Sequence, residues 1–443
     1  DIIGPEDALT TSIIGFTKDN ESMYMLDSRT SDTSVLKCIH IQTKEETILA
    51  TDARADGADF LMHPLHKTPQ AYGVNYLRKT WQFFDSDFEK DFHFLKTITQ
   101  GDIEIVSRTL DDITWIVAFM KDDAPVAYYL FNRTQQKATF LFYNRSDLKK
   151  YNLQPMEAFE IKTRDGLTMP CYITKATTPA GPLVLNIHGG PRARDTWGYD
   201  PLHQWLANRG YSVMSINYRG SMGFGKDFMN KGNGEWGRAM HEDIIDAAEW
   251  AIENGFAKRN EIAIMGGSYG GYATLVGLTS TPDYFACGVD LVGVSNLETF
   301  VTSIPPYWRP VRDVLKVMLG VDFELESAKD FLRERSPLTH CHRITKPLLI
   351  GHGANDPRVK QAESDQIVKA LLDKNIPVIY LVYSDEGHGF ARAPNRLSFY
   401  AITEAFLAKV LKGRCEPLPL NFEDSSLEIM AGKEYIKDLE IKV

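Results

Sequence analysis

Nowhere does the sequence hold the eighteen or so consecutive apolar residues that a membrane-spanning helix needs, so no membrane partner is expected. A long basic run is missing too, and the net charge is −10. Proteins that bind nucleic acid carry a basic footprint, so no nucleic-acid partner is expected either. Cysteine is scarce: Cys38, Cys171, Cys287, Cys341 and Cys415 make an odd, scattered set. Such usage fits reduced thiols in a cytoplasmic setting better than a disulfide scaffold. The chain opens at Asp1 with no positive-then-apolar leader, which leaves a periplasmic or secreted protein with a removed leader open. Metal-site spacing is absent from Thr339-His-Cys-His342 and from His63 and His66, and no His-Glu-x-x-His occurs. Gly220-Ser-Met-Gly-Phe-Gly225 lacks the Lys-Ser/Thr of a phosphate loop. Neither a metal nor a cofactor is therefore expected.

What remains is a globular composition, with 43% hydrophobic and 24% charged residues. At 443 residues the chain is long enough for two domains. Its texture changes near residue 153. Residues 1–153 read as short strands rich in aromatic and β-branched residues, such as Ser22–Leu26, Ser34–Ile41, Thr114–Phe119 and Val126–Phe131. Polar turns separate them, and a strand–turn–strand pattern at Ile39–Ile48 returns at Tyr129–Thr139. A partial β-propeller of about three to four blades fits this spacing, and a β-sandwich is the alternative. Residues 154–443 alternate apolar strands (Leu183–Ile187, Tyr211–Ile216, Glu261–Met265, Phe285–Val292, Pro347–Ile350, Val378–Val382) with amphipathic helices. Alternation of that kind implies an α/β domain with a doubly wound, mostly parallel sheet covered on both faces. The acidic pair Glu242-Asp243 is expected to serve the first turn of its helix, where the macrodipole favours carboxylates.

Gly266-Gly-Ser-Tyr-Gly270 follows one of these strands and opens a helix. A strand that turns so sharply leaves the serine strained and exposed, and tolerates only glycine on either side. Ser268 is therefore the candidate nucleophile. A serine hydroxyl needs a base to take its proton and an acid to orient that base. In a hydrolase of this type the order is Ser, acid, His, each after a strand. Asp356, within Gly351-His-Gly-Ala-Asn-Asp-Pro-Arg358, and His388, within Asp385-Glu-Gly-His-Gly-Phe390, meet that requirement. His352 and Asp385 are the nearest competitors, ranked lower because each lies closer to its strand end. An oxyanion hole needs backbone N–H groups, one of them from the residue after the nucleophile, here Tyr269. The second is expected from His188-Gly-Gly-Pro191, with Gly190 favoured over Gly189.

His188-Gly-Gly-Pro191, Asn217-Tyr-Arg-Gly-Ser-Met-Gly-Phe-Gly225, Gly266–Gly271, Gly353-Ala-Asn-Asp-Pro-Arg358 and Asp385–Phe390 together resemble the prolyl oligopeptidase family, in its acylaminoacyl-peptidase-like branch. The resemblance covers residues 155–415 and implies an α/β-hydrolase fold behind an N-terminal β-propeller. It also implies a serine peptidase acting on short peptides, and it is compatible with a homo-oligomer. Within the motifs, Ser268, Asp356 and His388 match the triad, and Gly190 and Tyr269 the oxyanion donors. Arg358 matches a position that binds a substrate carbonyl in the family. Tyr307 and Trp308 lie in a region that helps form the apolar pocket for the residue before the scissile bond. One departure stands out: a family propeller has about seven blades, and 1–153 holds fewer. Two other activities are consistent with the same residues. One is a carboxylesterase acting on small esters, the other a propeller-based binding protein whose hydrolase is vestigial.

Overall fold

In this computed structural model, residues 3–176, 181–418 and 422–439 are described. The chain forms two compact units. One comprises Asp1–Phe159, Thr196–Gln204 and Met222–Asn230; the other comprises Glu160–Asp195, Trp205–Ser221 and Lys231–Val443.

In the first unit, β1 (Ser12–Phe16), β2 (Ser22–Asp27), β3 (Val35–His40) and β4 (Glu46–Ala50) pair in sequence order into an antiparallel sheet. A second sheet holds β5 (Gly57–Met62), β6 (Pro69–Asn75) and β7 (Lys79–Phe83). The third holds β8 (Asp102–Arg108), β9 (Thr114–Met120), β10 (Ala127–Asn132) and β11 (Lys137–Tyr143). Three meanders in succession are the construction of propeller blades, the middle one a strand short. The two similar sequence patterns are the last hairpins of the first and third sheets, β3–β4 and β10–β11.

A helix at Ser86–Lys96, which the strand-rich texture gave no reason to expect, interrupts the β structure. Asp85 caps it, accepting from the Asp87 and Phe88 amides at 2.9 and 3.2 Å. Phe88, Phe92 and Leu95 share one helix face and enter a core with Trp115, Val117, Phe119 and Phe131. Phe88 meets the Trp115 ring at 4.8 Å. Beneath them Asp112, 1% exposed, accepts from Trp115 Nε1 at 2.8 Å and from Arg133 Nη1 at 2.7 Å. A buried carboxylate is tolerable only with such partners.

The second unit is built on nine strands. In chain order these are β12 (Met156–Lys162), β13 (Thr168–Thr174), β14 (Leu183–Ile187), β15 (Ser212–Ile216) and β16 (Ile262–Gly267). They continue with β17 (Cys287–Leu291), β18 (Leu348–Gly353), β19 (Ile379–Tyr383) and β20 (Leu427–Ala431). In the sheet they run β12-β13-β15-β14-β16-β17-β18-β19-β20. The block from β15 to β19 is parallel, while β13 and β20 are antiparallel to their neighbours β15 and β19. Buried side chains fill these central strands almost without a break, as expected where helices cover both faces. Helices Ala239–Glu253, Tyr269–Ser280, Ala362–Leu372 and Ala393–Leu411 alternate with the strands. This is the α/β-hydrolase fold, and such sheets present their ligand crevice at the carboxyl ends of the strands.

One expectation is corrected here. Asp243 does not serve the helix dipole. It is fully buried and grips Arg219 through Nε at 2.9 Å and Nη2 at 2.7 Å, accepting also from the Arg219 amide. Arg219 also donates to Asp165, from Nη1 at 2.9 Å and from Nη2 at 3.0 Å. Of the pair, only Glu242 stays in the first helical turn.

Candidate active site

The turn after β16 is built from close backbone approaches. A Cβ on Gly266 would lie 2.4 Å from the Ile187 carbonyl oxygen, and one on Gly270 would lie 2.0 Å from the same atom. No side chain fits at either place. Between them Ser268 adopts φ 58° and ψ −116°, a strained conformation for a residue with a Cβ. Its amide donates to the Leu291 carbonyl at 2.8 Å, and Tyr272 donates to its carbonyl at 3.0 Å. Ser268 is thereby the N-cap of the helix Tyr269–Ser280, whose first turn holds no acidic residue. The positive end of that helix is open to an incoming negative charge.

Over this turn lies the loop after β14. A Cβ on Gly189 would fall 2.9 Å from the Gly267 carbonyl and 3.4 Å from Ser268 Cβ. Gly190 follows at φ 120°. His188 holds the loop from behind: its ring stacks on Tyr218 at 4.4 Å and its Nε2 lies 2.9 Å from Ser221 Oγ. Tyr218 in turn donates to the His188 carbonyl at 2.8 Å. The protein packed around the imidazole pushes its pKa down to about 4, so the ring is neutral. Tyr269 is fixed as firmly. Its buried ring touches Trp236 at 4.6 Å and Tyr218 at 5.4 Å between centroids.

Asp356 and His388 follow β18 and β19 and meet directly, His388 Nδ1 lying 2.6 Å from Asp356 Oδ2. The other carboxylate oxygen accepts from the Arg358 and Val359 amides at 2.8 and 2.9 Å. Burial alone would raise this carboxyl's pKa, but His388 and the two amides hold it below its ordinary value. The two loops are pressed together, since a Cβ on Gly353 would lie 2.2 Å from the Gly387 carbonyl. Asn355 adds a backbone bond to the Glu386 carbonyl at 2.8 Å.

The two competitors are engaged differently, although His352 Nε2 lies 3.7 Å from Asp356 Oδ2. His352 is sealed in the interior against Ser364 Oγ at 2.8 Å and the Val359 carbonyl at 2.9 Å. Asp385 is engaged by Asn395 at 2.9 Å, and by Arg392 and Ser426. Arg358 projects an exposed side chain beside Asp356. Tyr307 is 59% exposed and Trp308 half-buried, on the turn Pro306–Val311. Among the described residues, no hydrogen bond or ring contact joins these two to the triad candidates, nor does one join Ser268 Oγ to His388.

Sequence reasoning missed Glu386. Its buried carboxylate accepts from the Ala391 and Arg392 amides at 2.8 Å each and from Asn395 Nδ2 at 2.7 Å. The segment carrying His388 is thereby tied to the start of the helix Ala393–Leu411. The string Asp385-Glu-Gly-His was visible, but nothing in it says which acid is buried.

The profile of the Prolyl oligopeptidase family matches residues 197–414. The chain is 49% identical to dipeptidyl aminopeptidase BIII of Pseudoxanthomonas mexicana, over 98% of its own length and 64% of that protein. It is 42% identical to dipeptidyl peptidase family member 6 of Caenorhabditis elegans, over 95% of its length and 61% of that protein. It thus spans less than two thirds of either relative. Among solved structures, a puromycin-hydrolyzing peptidase of Mycobacterium tuberculosis superposes with a TM-score of 0.73 at 23% identity, covering 92% of this chain and 63% of the other.

Proposed function

We propose that the chain is a member of the prolyl oligopeptidase family, which its similarity over residues 197–414 supports, and that it hydrolyses short peptides through an acyl-enzyme on Ser268, as a dipeptidyl- or acylaminoacyl-type exopeptidase. The observation that carries this reading is the 2.6 Å contact between His388 Nδ1 and Asp356. It fixes the ring with Nε2 free to act as base, in a sheet whose elbow presents a strained serine. In the proposed cycle Ser268 Oγ attacks the substrate carbonyl and His388 takes its proton. The tetrahedral oxyanion is received by the amides of Tyr269 and Gly190. His388 then protonates the departing amine, and a water that it activates releases the acyl group. Arg358 is assigned to a substrate carbonyl, and Tyr307 and Trp308 to the wall of an apolar subsite. The dipeptidyl form is favoured by the 49% identity to dipeptidyl aminopeptidase BIII. The five cysteines are unpaired, which supports a reducing compartment such as the cytoplasm. No helix among the described residues is long and apolar enough to cross a membrane.

The test uses dipeptidyl and acetyl-aminoacyl anilides alongside matched nitrophenyl esters. Free-amine dipeptidyl anilides are expected to be cleaved, and Ser268→Ala to abolish turnover. Full turnover by that variant, or cleavage of esters alone, would overturn the reading.

A further inference from the structure

Asp290 is a carboxyl for which the proposed reaction has no use, yet it lies directly beneath the nucleophile turn. It sits on β17, paired in register with Gly266 of β16, and is 0% exposed. Its side chain points at the first turn of the helix Tyr269–Ser280. A Cβ on Gly271, the third residue of that helix, would lie 2.2 Å from Asp290 Oδ1, and one on Gly293 would lie 2.3 Å from it. The strand-to-helix turn itself requires Gly270. The second glycine, Gly271, is required both by the carboxyl and by the Gly293 backbone, whose Cα would lie 2.7 Å from such a Cβ. Neither oxygen of Asp290 makes a well-formed hydrogen bond among the described residues, and the one donor that acts on it is the Gly293 backbone N–H. The surrounding groups offer no positive charge: β16 places Gly266 beside it, β18 places Ile350, and the helix places Gly271. Tyr380, on β19, feels its charge, but that hydroxyl donates to Asp365 at 2.7 Å.

We propose that Asp290 is an acid held neutral beneath the nucleophile turn, and that its ionisation sets an alkaline limit on acylation at Ser268. This rests on the hydrolase reading above and extends it to a positioning residue that touches no substrate. The argument is electrostatic. The oxyanion gathers at the amide of Tyr269, the first residue of the helix that Asp290 faces. A carboxylate there would be a second negative charge at the same helix end. At a separation of roughly 10 Å and an effective dielectric of about 20, it would slow formation of the oxyanion by about tenfold to twentyfold. Burial pushes the carboxyl up to about 7, with only the Gly293 backbone N–H pulling the other way. The neutral acid therefore prevails on the acid side of neutrality and the carboxylate above it.

The experiment is the rate of covalent labelling of Ser268 by a fluorophosphonate from pH 6 to pH 9.5, on the whole chain and on Asp290→Asn. Wild type is expected to show a rate that falls about tenfold above neutrality. The variant should match wild type at pH 6 and show no fall. Coincident profiles, or a wild-type rate that never falls, would overturn the role of Asp290 while leaving the hydrolase reading intact. A wild type that is never labelled would overturn the hydrolase reading itself. If the asparagine variant does not fold, the wild-type profile and Asp290→Ser decide the matter in the same way.

Discussion

Replacing Asp290 by asparagine removes a proton-binding group of nearly identical shape, and its effect on stability can be worked from the structure. The group ordinarily titrates at 3.8, and burial carries it to about 7 in the folded protein. Between those values the folded chain holds a proton that the unfolded chain has released. Stability therefore falls as pH rises through this window and levels off above it. At 1.36 kcal/mol for each tenfold change in proton affinity, the whole window is worth about 4 kcal/mol. About 2 kcal/mol of that lies between pH 5.5 and pH 8, where the rest of the protein is not acid-stressed. Asparagine has no such slope. Urea unfolding of both proteins at pH 5.5 and pH 8 should show the variant gaining about 2 kcal/mol on wild type over that interval. A difference that stays constant, or moves toward wild type, would mean that Asp290 is ionised throughout and that the elbow lives with the charge.

Three further outcomes follow from named contacts. Gly270→Ala places a Cβ 2.0 Å from the Ile187 carbonyl, so thermal unfolding should show a loss of about 3 kcal/mol or more, or no folded protein. Asp243→Ala leaves Arg219, which is 6% exposed, with only the half-exposed Asp165 as counter-charge; chemical denaturation should show a loss of about 2–3 kcal/mol. Asp356→Asn keeps the shape of the acid but stabilises the wrong tautomer of His388 at its 2.6 Å contact; stopped-flow acylation should slow about 10⁴-fold with little change in unfolding midpoint.

The residues that were legible in the sequence are those whose requirements are local. Ser268 betrays itself because a strained turn between β16 and its helix admits only glycine at Gly266 and Gly270. Asp356 and His388 were readable because a strand precedes each one; β19 lies within one residue of its apolar run, and β18 begins within one residue of its run and ends three residues beyond it. The illegible parts depend on partners distant in sequence. Nothing near Asp243 shows that Arg219, 24 residues earlier, will neutralise it in the interior. The helix Ser86–Lys96 lay within reach of a local reading, since Asp85 caps it and Phe88, Phe92 and Leu95 fall on one face. Its surroundings, rich in β-branched and aromatic residues, pull a reading by texture toward strand. Asp290 reads as one polar residue in a buried strand, and only the register with Gly266 reveals what it lies beneath.

The charges around Ser268 form a pattern that these pieces explain only together. Asp356 is satisfied by His388 and two amides. Glu386 is satisfied by two amides and Asn395. Both carboxylates are therefore spent on holding loops, and their fields are largely absorbed by the donors around them. His188, the other titratable group in the oxyanion loop, is neutral for want of solvation. The helix Tyr269–Ser280 carries no acid in its first turn, and the amide of its first residue has no acceptor within the helix. Asp290 faces that turn with only the Gly293 backbone N–H to absorb its charge. A site arranged in this way leaves its strongest unmatched donor to the charge that the reaction itself creates.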